Sequence, residues 1–200
     1  TWLNKSVKNA EVEIEGYKIF RPDRKDKRGG GLCAYIRSPL KAQILKDLSG
    51  TSTTWFQQLW LQVQYKKIRS FAICAVYRPP DCHVSCFEDF LKPSSTYALS
   101  LNKPVIILGD LNCNLLQQNP DGLSLLNFAS ELNLKQLITS PTRITESSES
   151  LIDVVMSSTT DLVQESGVIE SKVKIRNRLQ INSTNFLSLL EKKLQTLQLK

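Results

Sequence analysis

The segment "KPVIILGDLNCN", Lys103–Asn114, constrains this chain more than any other. Val105 to Leu108 are consecutive branched aliphatics, and a strand apolar on both faces is one buried on both faces, the habit of central strands in α/β sheets. The run ends on Gly-Asp-Leu-Asn, so a carboxylate and a carboxamide stand where the carboxyl ends of such strands collect ligand-binding groups. Gly109 is expected to turn the backbone and set Asp110 and Asn112 at the rim. Asp110 can take a proton from water or hold a hard cation, and Asn112 can donate to a phosphate oxygen. The plainer alternative is a turn, because Asp and Asn after Gly are common turn chemistry.

Other strands end in the same manner. "LWLQVQY" alternates apolar and polar residues, and "FAICAVY" after a short connection completes a predicted hairpin that ends on Tyr77 and Arg78. A phenol and a guanidinium suit the clamping of a phosphate. "SLIDVVMSS" places Asp153 inside an apolar strand, where a carboxylate needs a partner. "LCAYIR" is a further strand. Helices are expected over "CFEDFLKPSSTYALSL", broken or kinked at Pro93, and over Asp121–Leu132 with Asp121 resembling an N-cap. Strands alternating with helices, with a hairpin among them, predict a mixed sheet.

The net charge of +7 favours a polyanionic partner, most simply nucleic acid. "RPDRKDKR", with Arg24, Lys25, Lys27 and Arg28, reads as a solvated loop or as a DNA contact, and Arg78 and Arg143 are further candidate contacts. The 41% apolar and 22% charged shares describe a globular chain, and no apolar run is long enough to span a membrane. No secretory signal opens the chain, which begins at Thr1 and so reads as a fragment or processed product. Five cysteines, an odd and scattered set, predict reduced thiols and an intracellular compartment. Cys82, His83 and Cys86 could offer zinc ligands, but no second ligand pair sits at a fitting spacing, and a polar loop is the simpler reading. From Lys172 a basic stretch, "KVKIRNRLQ", reads as a linker. It leads to an amphipathic helix with Phe186, Leu189, Leu190, Leu194 and Leu197 on one stripe, which packs back on the domain or docks a protein partner.

"GGGLCAYIR", "AVYRPPD", "VIILGDLNCN" and "SLIDVVMSS", in this order and spacing, resemble the endonuclease domain of LINE-type non-LTR retrotransposons, in the endonuclease/exonuclease/phosphatase superfamily. The resemblance implies an α/β fold, a four-layered α/β sandwich of two packed mixed sheets flanked by helices, incomplete at both ends, over residues 1–171, with 172–200 as linker and helix. It implies Mg²⁺-dependent hydrolysis of a DNA phosphodiester, with no small-molecule cofactor, and a nuclear location. By the resemblance Tyr77 contacts the phosphate, Asp110 positions or deprotonates the attacking water, and Asn112 beside it holds a phosphate oxygen or a metal. Asp110 and Asn112 are thus the metal candidates. Asp153 matches the aspartate that orients a catalytic histidine, and Ser150 the small polar position before it.

Two family features are missing from this sequence. A metal-binding glutamate commonly precedes the "TWL" found here at Thr1–Leu3, and a Ser-Asp-His strand commonly supplies the catalytic histidine. No Asp-His pair occurs in the chain, whose one histidine is His83. The resemblance therefore implies weak Mg²⁺ binding and impaired catalysis. The alternative is a non-catalytic nucleic-acid or protein interaction module. A phosphatase of the same superfamily fits the basic charge less well.

Overall fold

The computed structural model describes residues 6–22, 31–49, 56–64, 69–160, 163, 165–169, 178–182 and 198–199. The basic loop residues Arg24, Lys25, Lys27 and Arg28 and the leucine stripe Phe186–Leu197 lie outside the described residues.

The strands, in chain order, are β1 (Tyr17–Phe20), β2 (Ala34–Arg37), β3 (Lys41–Ile44), β4 (Gln57–Gln64), β5 (Phe71–Tyr77), β6 (Val105–Asp110), β7 (Lys135–Gln136), β8 (Arg143–Ile144), β9 (Glu149–Ser150), β10 (Asp153–Ser157), β11 (Glu165–Ile169), β12 (Arg178–Asn182) and β13 (Gln198–Leu199). The helices are α1 (Lys46–Ser49), α2 (Lys92–Ser100) and α3 (Pro120–Glu131). Six strands form one mixed sheet in the order β3-β4-β5-β6-β10-β7. The expected β4–β5 hairpin is present, and β5 and β6 are parallel neighbours joined by a helical crossover.

The apolar run at Val105–Leu108 is buried on both faces, as its composition predicts. Val105 and Ile107 pack with Trp60, Cys74, Met156, Phe87, Leu91, Leu125 and Phe128 under the helices. Ile106 and Leu108 face the other way and meet Leu59, Leu61, Ile73, Val155 and, from the second sheet, Phe20, Ala34 and Ile36. That second sheet has the order β1-β2-β13. On its far side the buried Tyr35 hydroxyl donates to the Val12 carbonyl at 2.7 Å, so the 3-10 turn Asn9–Val12 covers that face. The α/β sandwich expected from the sequence is therefore the observed architecture.

Four local expectations are corrected. Pro93 does not break its helix: the preceding turn, Phe87–Leu91, widens to π geometry, with the Lys92 N–H donating to the Phe87 carbonyl. The wider turn relieves the clash of the proline ring with the carbonyl four residues back. Helix α3 is capped by Asn119, whose Oδ1 accepts from the Gly122 N–H at 2.7 Å, with Pro120 at the first helical position; Asp121 is not the cap. Gly109 does not turn the chain, because β6 continues through it to Asp110. Its φ is 151°, and a Cβ there would lie 1.8 Å from the Val76 carbonyl oxygen, so glycine is required by the close approach of β5. Finally, Arg178–Asn182, expected in a linker, pairs as β12 with β11.

Candidate active site

The site follows from strand register. Gln57 pairs with Tyr77 across β4 and β5, Tyr77 with Asp110 across β5 and β6, and Asp110 with Asp153 across β6 and β10. Residues in register on adjacent strands share a face, so these four side chains form one polar row. The next row inward is Leu59, Ala75, Leu108 and Val155, all within the core between the two sheets. The polar row thus stands where the inter-sheet core ends. Sequence reasoning found three of its members and missed Gln57, because a glutamine opening an alternating strand carries no signal of its own.

Each member is set by backbone contacts. Asp110 is only 9% exposed, and its Oδ1 accepts from the Asn112 N–H at 3.1 Å. Asn112 sits at φ 49°, the left-handed region that asparagine tolerates better than most residues, and this is where the chain turns. Its Nδ2 donates to the Arg78 carbonyl at 2.8 Å. A carbonyl can only accept, so this bond fixes the amide orientation and leaves Oδ1 as the atom fitted to a cation. On the other side, Asp153 is half-buried, and its N–H and that of Ile152 both donate to Thr142 Oγ1 at 3.1 Å. Asn114 Oδ1 accepts from the N–H groups of Leu116 and Leu151, each at 3.1 Å, tying the loop after β6 to the approach of β10. Thr142 and Asn114 were not visible as site-supporting residues in the sequence, because each acts through neighbours distant along the chain.

Arg78 requires a correction. Expected as a nucleic-acid contact, it is 2% exposed and both terminal nitrogens of its guanidinium are engaged inside the protein. Nη1 donates to the Leu111 carbonyl at 3.0 Å and lies 3.3 Å from Cys113 Sγ, while Nη2 pairs with Asp121 Oδ2 at 2.7 Å. The guanidinium also stacks over Phe87, 5.9 Å from the ring centroid. Burial raises the Cys113 thiol to about 11, with the Arg78 charge pulling against that rise. Arg78 therefore fastens the loop carrying Asn112 to the helical layer.

The remaining candidates lie outside the registered row. Ser150 lies in β9, opposite Arg143 of β8, in a hairpin whose Arg143 is exposed. The Ser150 carbonyl accepts from the Thr142 N–H at 2.9 Å, so its backbone serves the same support as Asp153. His83 lies in the loop after β5, its Nδ1 accepting from the Ser85 N–H at 3.2 Å. Among the described residues no cluster of three His, Cys, Asp or Glu side chains could hold a metal, which removes the Cys82–His83–Cys86 zinc reading there. All five cysteines are free and buried. The oxygens of Asp110 and Asn112 are the hard donors that Mg²⁺ takes, an ion commonly held by one or two carboxylates and keeping several waters. No helix among the described residues is long and apolar enough to cross a membrane.

Comparison with known proteins agrees with this architecture. The endonuclease domain of TRAS1, a telomere-specific non-LTR retrotransposon, superposes with a TM-score of 0.71 at 18% identity, covering 91% of this chain and 84% of that one. A mannosyl-6-phosphatase of Bacteroides thetaiotaomicron gives 0.54 at 16% identity, over 94% and 77% of the two chains. Truncated TDP2 of Caenorhabditis elegans gives 0.52 at 12% identity, over 80% and 68%. No curated protein matches the sequence. The family profile described as endonuclease-reverse transcriptase matches residues 71–187, more than half of the chain. With β5, the Asp110 loop and β10 all inside that span, the chain belongs to this family of the endonuclease/exonuclease/phosphatase superfamily and resembles a LINE-type endonuclease domain.

Proposed function

We propose that this chain is a divalent-cation-dependent phosphodiester-hydrolysing domain that acts on DNA in the nucleus with weak turnover. The observation that carries this reading is the registered row of Tyr77, Asp110 and Asp153 at the end of the inter-sheet core. A phenol and two carboxylates held in one line by strand pairing are preorganised, so little reorganisation is needed when substrate arrives.

In this reading Tyr77 donates its hydroxyl proton to a non-bridging phosphate oxygen. Asp110, its carboxylate steered by the Asn112 N–H, accepts a proton from the water whose oxygen bonds to phosphorus, while the P–O bond to the leaving oxygen breaks and that oxygen takes its proton from solvent. Asp110 and Asn112 Oδ1 would hold Mg²⁺, which would neutralise charge on the phosphate. Arg143, exposed on its hairpin, and the net charge of +7 supply attraction for the polyanion. Turnover is weak because the 200 residues contain no Asp-His pair and their one histidine lies on the loop after β5, so Asp153 receives no imidazole from this sequence.

Plasmid nicking in Mg²⁺ tests the reading. EDTA should abolish it, and Asp110→Ala should lower it by about a hundredfold or more. Nicking that persists in both would exclude this site. A second reading, a non-catalytic nucleic-acid module, draws on the same charge and the missing histidine. It requires salt-sensitive DNA binding that survives EDTA and Asp110→Ala, with no nicking.

A further inference from the structure

Gln57 and Gln58 are adjacent, both buried, and differently satisfied. Gln58 faces the helices, where its Nε2 donates to Ser94 Oγ at 3.1 Å and its Oε1 accepts from Trp60 Nε1 at 2.9 Å. Gln57 faces the other way, into the polar row, and is 6% exposed. Its Oε1 is buried with no hydrogen-bond partner among the described residues. Buried polar atoms are almost always paired, and an orphaned acceptor is costly. A side chain that saturates one amide and strands its neighbour at the site points to a donor that arrives with a ligand.

The chemistry of the row narrows that donor. Phosphodiester oxygens and the carboxylates of Asp110 and Asp153 all accept and cannot satisfy Oε1, and the hydroxyl of Tyr77, the row's own donor, is not bonded to it. A hydrated cation can, because its bound waters direct their hydrogens outward. Mg²⁺ surrenders its waters reluctantly, so an acceptor one water beyond the ion, about 5 Å from it, is a natural part of its site. Two strand spacings, about 10 Å, separate the β4 and β6 backbones, with Tyr77 of β5 between them, so an ion on the Asp110 carboxylate would reach Oε1 through one of its waters past the Tyr77 side chain. We propose that Gln57 is an outer-sphere member of the cation site, its Oε1 accepting from a water on the Mg²⁺ held at Asp110. The inference rests on the cation-dependent reading above and adds a residue to it.

Mg²⁺ affinity measured by displacement of Tb³⁺ luminescence, on the full 200-residue chain, tests it. Gln57→Leu should weaken Mg²⁺ about tenfold, the usual range for loss of an outer-shell partner. Its melting temperature in EDTA should hold or rise, because an unpaired buried acceptor is removed; a purely structural glutamine would lower it. Gln57→Glu, which keeps the acceptor and adds charge, should bind Mg²⁺ at least as tightly as the native chain. Asp110→Asn separates the two claims. If Asp110→Asn loses Mg²⁺ while Gln57→Leu binds it normally, the Gln57 assignment is overturned and the cation reading stands. If the native chain binds no Mg²⁺, both are overturned.

Discussion

Replacing Arg78 with Met decides whether this guanidinium serves DNA or the fold. Methionine keeps an unbranched stem over Phe87 and removes the donors. The Leu111 carbonyl then loses its 3.0 Å charged donor inside the protein and keeps only the weak Cys113 thiol at 3.4 Å, a loss of about 1–3 kcal/mol. The Asp121 pair adds less, because the Asp121 side chain is 44% exposed and solvent screens it, so about 1 kcal/mol at most is assigned there. Together these give roughly 1–4 kcal/mol, and in a chain of this size that is a melting-temperature loss of about 2–15 °C. Asp121→Asn, which loses only the screened pair, should fall by about 2–4 °C. Circular dichroism melts read both, and fluorescence anisotropy with a DNA duplex at two salt concentrations reads the alternative. An unchanged melt for Arg78→Met, with weaker DNA binding and a shallower salt slope, would refute the internal assignment.

Gly109→Ala should cost about 3 kcal/mol or more and yield mostly insoluble chain, because its Cβ would meet the Val76 carbonyl oxygen at 1.8 Å; soluble protein with a native melt would contradict the close packing of β5 and β6. Asn119→Ala should lower stability by about 1 kcal/mol and speed amide exchange at Gly122, whereas Asn119→Ser should change it by a few tenths. Stability should also fall as pH climbs past the ordinary thiol value of 9.0. Burial raises the Cys74 and Cys86 thiols, and the neighbouring Cys82 thiol adds to the rise at Cys86. The unfolded chain then releases protons that the folded chain retains, so stability drops by about 1.4 kcal/mol per pH unit for each such thiol. Urea melts of Cys74→Ala against the native chain, at pH 8 and 10, should show a smaller alkaline loss for the variant.

Periodicity made the strands readable, and what it could not supply was register. Val105–Leu108 announces a central strand by its apolar run, and Leu59–Gln64 by alternation, because both depend on burial that neighbouring residues share. Whether Gln57 stands opposite Tyr77 depends on the hairpin between β4 and β5, and no local pattern fixes that offset. The same limit explains Arg78. A charged residue at a strand end reads as ligand-facing until Leu111 and Asp121, far along the chain, are seen to enclose it. Gly109 was legible as a required glycine, but the reason was a neighbouring backbone and not a turn. Thr142 gave no warning, since its two hydrogen bonds run to backbone ten and eleven residues away.

The loop that carries Asn112 answers to two demands that one substitution series separates. Asn112 holds a positive φ of 49° and anchors Arg78 through its Nδ2, while Arg78 donates its own N–H to the Asp110 carbonyl at 3.0 Å and its Nη1 to Leu111. These bonds make the asparagine part of the fold whether or not a phosphate ever binds, so its presence alone is weak evidence of turnover. Asn112→Ala should lose both the anchor, about 1 kcal/mol, and the tolerance for a left-handed backbone, about another 1 kcal/mol. Asn112→Gly should recover the second loss and keep only the first. If cation binding also needs Oδ1, the two variants should be equally defective toward Mg²⁺ despite their different melts. Equal melts would show that the backbone there relaxes without strain, and native Mg²⁺ affinity in both would confine Asn112 to its structural duty.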